Sequence, residues 1–342
     1  MTNSKRIIDE NLRSFWACNG DNLLRDYCEL VKYVPEGNPI NKTELHERLR
    51  SCKTLILTAN SIEGIILTRL LMRLNNGKFL DRITADKRLY QFAEVGGLKI
   101  VHIWPDNVSS FTQHGAFKAL SDAFKHFSPE RVISLGVAFG ADATTQKIGD
   151  VLVSQSIIPY DAFNKVTNGA INLAPAEVYQ TDVGALGGWS PLLKQSEQLY
   201  NFCSDEKRPS FKWFYGPLLS GGTVLSDISE KKRLFDAAKR MAYVPIGGEM
   251  EGNGVYFACE QASVPCIVIK GICDWGVLKN GWKFAEKTGL DIDTIKDCVQ
   301  AYATDNAFFA LRYLLRQLPK ENSDKSGVSF TPDEIKGLRL HS

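Results

Sequence analysis

Four acidic side chains stand where a carboxylate could act on a bound molecule: Glu63, Glu249, Glu251 and Asp274. Asp274 is the most specific of them. It follows Cys266-Ile-Val-Ile269, an unbroken apolar run between Pro265 and Gly271 that reads as a buried parallel strand. Cys273 and Trp275 flank it. In open α/β sheets, ligands bind outside the carboxyl ends of strands. A carboxyl group beside an apolar ring can also hold a proton near neutral pH, as a general acid must. An aspartate there could equally cap the next helix or turn. Glu63 lies five residues past the end of a second buried run, Thr54-Leu-Ile-Leu-Thr58, where a first-turn helix acid would also be favoured by the dipole. Glu249-Met-Glu251 opens a helix behind Gly247-Gly248. Gly136-Val-Ala-Phe-Gly140 offers backbone rather than charge at the end of the run Arg131–Leu135, and its glycines could mark a tight turn alone.

These groups need a scaffold, and the pattern along the chain supplies one. Apolar β-branched runs predict strands at 54–58, 131–135, 149–158, 214–220 and 266–270, and Gly96-Gly97 joins 90–95 to 98–104 as a hairpin. Helical spacing covers the segment to Leu74, then 111–127, 190–203, 229–243, a run ending near Gln261, and 295–318. Residues 161–190, rich in Asn, Gly and Pro, read as an inserted loop region. Alternating strands and helices predict an α/β fold: a mixed, mostly parallel central sheet flanked by helices. Residues 1–50 read as a helical N-terminal extension, with helices at 7–16, 23–33 and 42–49. Residues 51–318 form the expected catalytic domain, and 319–342 a polar C-terminal tail.

Composition removes several classes of function. Forty-one basic against 39 acidic residues leave a net charge of +2, too weak a field to invite nucleic acid or membrane. No apolar stretch approaches the ~18–20 residues of a membrane span, and the acid-bearing N-terminus does not read as a secretory signal. The eight cysteines form no Cys-x-x-Cys pair, which suits reduced thiols in the cytoplasm. The five histidines show no ligand spacing, so neither a metal nor another cofactor is expected.

Taken in chain order, Gly-x-Ala-x-Gly at 136–140, Ile148-Gly-Asp-Val-Leu-Val153, Ser220-Gly221, Glu249-Met-Glu251 and Gly271-Ile-Cys-Asp274 resemble the nucleoside phosphorylase and nucleosidase superfamily. The chain is similar to the 5′-methylthioadenosine/S-adenosylhomocysteine nucleosidases, and more so to the nucleosidase-type effector domains of bacterial and fungal immune proteins. The resemblance covers about residues 52–318. It implies a nucleoside phosphorylase-like fold, a homo-oligomer (dimer or larger), and cleavage of the bond between a purine and its ribose. Asp274 would protonate the purine at N7, and Glu63 would hold the attacking water. Glu251 would hold the ribose hydroxyls, with Met250 against the sugar. Glu249, Val137, Ala138, Phe139, Gly140, Cys273 and Trp275 would complete the substrate site.

Two positions depart from the family pattern. Phe139 stands where the family has glycine, which narrows the pocket or re-aims the backbone. Val224 stands near the place of a base-stacking aromatic, a ring that Trp275 could replace, and both could equally be core residues. Val137 occupies the position of a phosphate-binding hydroxyl, and the first strand leads to Glu63 rather than to an arginine. Water is therefore favoured over phosphate as the nucleophile. Adenine is the expected base. Arg82, Lys87 and Arg88, in a stretch that begins at Lys78, are candidate ligands for the phosphates of an ATP-type substrate, as are Lys279, Lys283 and Lys287. A solvated charged surface would look the same in sequence. The alternatives are a phosphate-dependent purine nucleoside phosphorylase and a non-catalytic nucleotide-sensing module. An activating protein partner would dock through residues 1–50.

Overall fold

In the computed structural model the described residues are 3–85, 88–104, 115–161, 163–167, 170–173, 178–182, 184–186, 193, 210–276 and 290–318. The chain opens with α1 (Asn3–Tyr27), a short β1 (Asn38–Pro39) and α2 (Lys42–Ser51). There follow β2 (Thr54–Leu57), α3 (Ser61–Leu74), β3 (Asp81–Ala85), β4 (Arg88–Val95), β5 (Leu98–Trp104), α4 (Ala116–Ala123), β6 (Arg131–Gly140) and β7 (Val151–Pro159). A hairpin, β8 (Phe163–Thr167) and β9 (Ala170–Leu173), and β10 (Tyr179–Gln180) occupy the region expected to be a loop. The second half carries β11 (Trp213–Ser220), α5 (Ile228–Arg240), β12 (Gly247–Glu249), α6 (Gly252–Ala262), β13 (Cys266–Asp274) and α7 (Ile292–Arg316).

One mixed sheet organises these elements. Its order is β1-β3-β4-β5-β2-β6-β12-β11-β7-β10, and β13 pairs with both β6 and β7. The strands β6, β12, β11, β7 and β13 therefore close on themselves, while β2, β5, β4, β3 and β1 extend as an open wing. β13 and β2 both run parallel to β6, as expected of strands whose residues are apolar on both faces. The hairpin between β4 and β5 turns on Gly96 and Gly97 at φ +63° and +85°, values that favour glycine.

Three differences from the sequence reading have local causes. β13 does not stop at Gly271 but runs through Asp274. Gly271 is a close-approach residue: a Cβ there would lie 2.0 Å from the Ala303 carbonyl oxygen on α7. α1 is one helix of 25 residues, not two. It runs on through Gly20, where the Trp16 ring lies 2.8 Å from where a Cβ would stand. The charged stretch after Lys78 holds β3, an additional strand that pairs antiparallel with β4.

Residues from α1 belong to the main core. Ile8, Leu12, Trp16, Leu23 and Tyr27 are buried in the same cluster as the sheet. The Tyr27 hydroxyl donates to Asp305 Oδ2 on α7 at 2.7 Å, and Phe15 stacks at a tilt on Tyr302. No helix among the described residues is long and apolar enough to cross a membrane.

Candidate active site

Glu63 is placed by two competing demands that the fold satisfies together. It is the third residue of α3, and Asn60 caps that helix by accepting from the Glu63 N–H at 2.9 Å. The Glu63 carboxylate returns the bond: Oε2 accepts from Ala59 N at 2.7 Å and Asn60 N at 3.2 Å. Its other oxygen crosses to β6, where Oε1 accepts from Val137 N at 2.9 Å. The side chain is 1% exposed. Gly136 makes this crossing feasible, since a Cβ there would sit 2.3 Å from the carboxylate carbon. The plain helix-acid reading of Glu63 is thus correct but incomplete: the same carboxylate also faces the end of a central strand.

Glu249 and Glu251 sit where β12 passes into α6. Glu249 Oε2 accepts from Glu251 N at 2.9 Å and Gly252 N at 2.8 Å, which caps the first turn of α6. Glu251 turns instead to Lys270 on β13, whose Nζ donates to Oε2 at 2.9 Å. Lys270 is wholly buried and faces Glu63 and Glu249 as well. Sequence reasoning passed over it, because a lysine inside an apolar strand shows no partner until the fold brings three glutamates to it. Burial disfavours its ammonium, but Glu251, Glu63 and Glu249 together outweigh that and hold it above its ordinary value.

The glutamates respond in the opposite sense. Burial pushes Glu63 above the usual carboxylate range, with Glu251 adding to the rise and Lys270 opposing it. Burial, with Glu251 nearby, pushes Glu249 up to about 7, against Lys270 and the Ser220 hydroxyl. Ser220 ends β11 level with Glu249, and its hydroxyl accepts from Asn253 N at 2.8 Å.

Asp274 ends β13 in register with Phe139 of β6, and Phe139 is in turn level with Gly248 of β12. The acid is half-buried, while its neighbours Cys273 and Trp275 are 7% and 1% exposed. The register of β13 against β6 shifts between Ile272 and Asp274, and the acid ends the strand as its first half-buried residue after eight buried ones. Oδ1 accepts from Gly276 N at 2.6 Å, and the Cys273 sulfur lies 3.7 Å from Oδ2. The cap expected of this aspartate therefore exists, but it engages one oxygen and holds the carboxyl at the strand end. Trp275, open in the sequence between a stacking face and a core residue, has its ring in the core and presents no face to a ligand.

On β6 the end of the strand does alternate. Val137 and Phe139 are half-buried, whereas Ala138 and Gly140 are buried. Met250 is half-buried, and Val224 is 49% exposed on the turn after β11. Tyr160, just past β7, ties that turn down by donating to Gly221 O at 2.8 Å. A second lysine unremarked in the sequence, Lys231 of α5, reaches the same strand ends. Its Nζ donates to Gly140 O and to Trp275 O, both at 2.7 Å. Burial lowers it to about 8, against Asp274 and Asp142.

The candidate phosphate ligands lie on the open wing. Arg82 of β3 donates to Pro35 O at 2.9 Å. Arg88 of β4, 4% exposed, pairs with Asp122 at 2.7 Å, and Lys118 and Lys125 join the same carboxylate. Burial would raise Asp122, yet these cations hold it at about 2. Both arginines thus have structural partners. Lys87, Lys279, Lys283 and Lys287 lie outside the described residues. Among the described residues, no cluster of His, Cys, Asp and Glu could hold a metal ion.

Comparison with known proteins agrees with this layout. The family model described as the phosphorylase superfamily matches residues 114–314. A death domain-containing ATP nucleosidase from Amphimedon queenslandica is 28% identical over 173 residues, covering 46% of this chain and 31% of that protein. ATP nucleosidase Cap17 from Escherichia coli is 22% identical over 183 residues, 49% of this chain and 36% of that protein. The chain thus spans about a third of the length of these curated relatives. A 5′-methylthioadenosine/S-adenosylhomocysteine nucleosidase from Colwellia psychrerythraea, solved with adenine, superposes with a TM-score of 0.58 at 19% identity. It covers 80% of this chain and 98% of that one.

Proposed function

The chain belongs to the phosphorylase superfamily, and from that premise we propose that it is a nucleosidase, a hydrolase that releases adenine from a purine nucleoside or nucleotide. One observation carries the choice of water over phosphate: the Val137 N–H donates to Glu63 Oε1. A phosphate site would want that backbone donor and a hydroxyl beside it. Here a buried carboxylate occupies the donor, and position 137 has no hydroxyl to add. Like charge opposes an anion, whereas a neutral water can donate to the lone pair that Oε1 retains.

The remaining groups then have defined work. Asp274, at an outward-facing strand end, gives its proton to N7 of the base. The base leaves neutral as the bond to the ribosyl carbon lengthens and that carbon gains oxocarbenium character. Glu251, fixed by Lys270, accepts from the ribose hydroxyls, and Met250 packs on the sugar. Water attacks the ribosyl carbon, and Glu63 takes up its proton. This division of labour asks one carboxyl group, on a half-open strand end, to give a proton and another, held against β6, to take one.

A nucleotide substrate is supported by the two relatives named ATP nucleosidases. The resemblance to immune effector domains supports a defence role, exercised as a cytoplasmic homo-oligomer. The test is chromatographic. Purified protein is incubated with ATP, AMP, adenosine and methylthioadenosine, with and without phosphate. Adenine release independent of phosphate is expected. Release only with phosphate would make it a phosphorylase, and tight binding of an intact nucleotide without turnover would make it a sensor.

A further inference from the structure

We propose that Phe139 carries the base-stacking ring of this site, so that the two departures from the family pattern, at 139 and 224, are one compensated exchange. The inference rests on the nucleosidase reading and concerns how the base is held.

Five features of the fold point to Phe139. It is one of the half-buried residues at these strand ends, on the same outward side of β6 as Val137. Its register neighbours are Asp274 on β13 and Gly248 on β12, so the ring stands between the proposed proton donor and the residue preceding Glu249. Space is held open for it. A Cβ at Gly248 would lie 2.4 Å from Phe139 Cζ, and one at Gly276 would lie 2.9 Å from Cγ. The ring packs against the cluster of Ile158, Tyr160, Leu219 and Leu225, and Leu225 directly follows Val224 on the turn. Finally, the Lys231 ammonium lies 5.5 Å from the ring centroid and is itself pinned to Gly140 O and Trp275 O. That contact fixes the ring and is favourable in its own right.

Neither rival ring is placed for the task. Trp275 faces the core, and Tyr160 is 5% exposed with its hydroxyl committed to Gly221 O. Val224, half in solvent, offers no π-face at all. A purine laid on Phe139 would have Asp274 at its edge, because the two residues are direct neighbours across the β6–β13 pair. Stacking would then supply affinity for any flat base, and Asp274 would select the one with an acceptor at N7.

The test measures adenine dissociation constants, and KM for the best substrate of the screen, on three proteins. These are the wild type, Phe139→Leu, and the double variant Phe139→Leu with Val224→Phe. Leucine keeps apolar volume and removes the ring, so adenine affinity should fall about 10- to 100-fold. The double variant restores a ring from the other position and should recover about tenfold or more. Unchanged adenine affinity in Phe139→Leu overturns the inference while leaving the nucleosidase reading intact. A wild type that neither binds adenine nor releases base overturns both. Should Phe139→Leu fail to fold, a crystal structure of the wild type with adenine decides. A base plane parallel to the Phe139 ring within about 4 Å supports the inference, and a base resting elsewhere overturns it.

Discussion

Lys270 and Glu251 form an ion pair of 2.9 Å in which the side chains are 0% and 4% exposed. A buried pair of this kind is weak evidence for stability by itself, since desolvation offsets most of the attraction. Its significance is positional: the same ammonium also faces Glu63 and Glu249, so one strand residue serves three candidate ligands.

Removing that ammonium should be severe. Lys270→Met leaves Glu251 buried and unpaired, at a cost of about 3–5 kcal/mol. Chemical unfolding should show that loss, and base release should fall with it. Lys270→Arg keeps the charge and should retain more of both. Wild-type stability in Lys270→Met would mean that Glu251 does not need its partner.

Gly136 should tolerate no side chain. Its φ is +154°, and a Cβ would lie 2.3 Å from the Glu63 carboxylate. Gly136→Ala must displace Glu63, and a displacement on the order of 1 Å can cost about 100-fold in rate. A kcat close to wild type would argue that Glu63 does not position the nucleophile.

Glu249 gives a pH signature in stability. Its folded pKa, about 7, lies above the ordinary 4.5. The folded state therefore binds the proton more tightly than the unfolded one. The stabilisation is complete below about pH 4.5 and is lost as pH rises to about 7. Glu249→Gln is neutral throughout and should lack that slope. Above pH 7 it should melt roughly 2–5 °C higher than wild type in scanning calorimetry. Parallel melting curves for the two proteins across pH 4.5–8 would contradict the burial argument.

These groups were unequally legible in the sequence. Asp274, Glu63 and the two glutamates at 249 and 251 follow strand ends or open helices, so local pattern marked them as candidates, each with a plain capping reading beside it. The Gly96-Gly97 hairpin and the apolar runs of β2, β6 and β13 were equally local signals. Lys270 and Lys231 were not legible, because a buried lysine is explained only by partners distant in the chain. Gly271 misled for the same reason: it reads as a strand end, but α7 requires it as a contact. Trp275 was open between a stacking face and the core, and the register shift that ends β13 beside it has no local sign in the sequence. The stretch after Lys78 read as charged surface, because β3 lies toward the edge of the sheet and none of its five residues is fully buried.

The N-terminal helix should prove inseparable from the rest. α1 contributes Ile8, Leu12, Trp16, Leu23 and Tyr27 to the main core and the Tyr27–Asp305 bond to α7. Deleting residues 1–27 bares the matching face and should lower Tm by about 10 °C or more. An unchanged melting temperature would show that α1 is an accessory, free to serve a partner.

The central claim is that Asp274 protonates a departing purine while water, not phosphate, attacks. Its most direct test is the initial rate of adenine release by the wild type and by Asp274→Asn, followed by chromatography with and without phosphate. The expected result is a wild-type rate indifferent to phosphate and an Asp274→Asn rate lower by about 10²–10⁴-fold, with an unchanged melting temperature. A wild-type rate that requires phosphate, or an Asp274→Asn rate equal to wild type, would contradict the account.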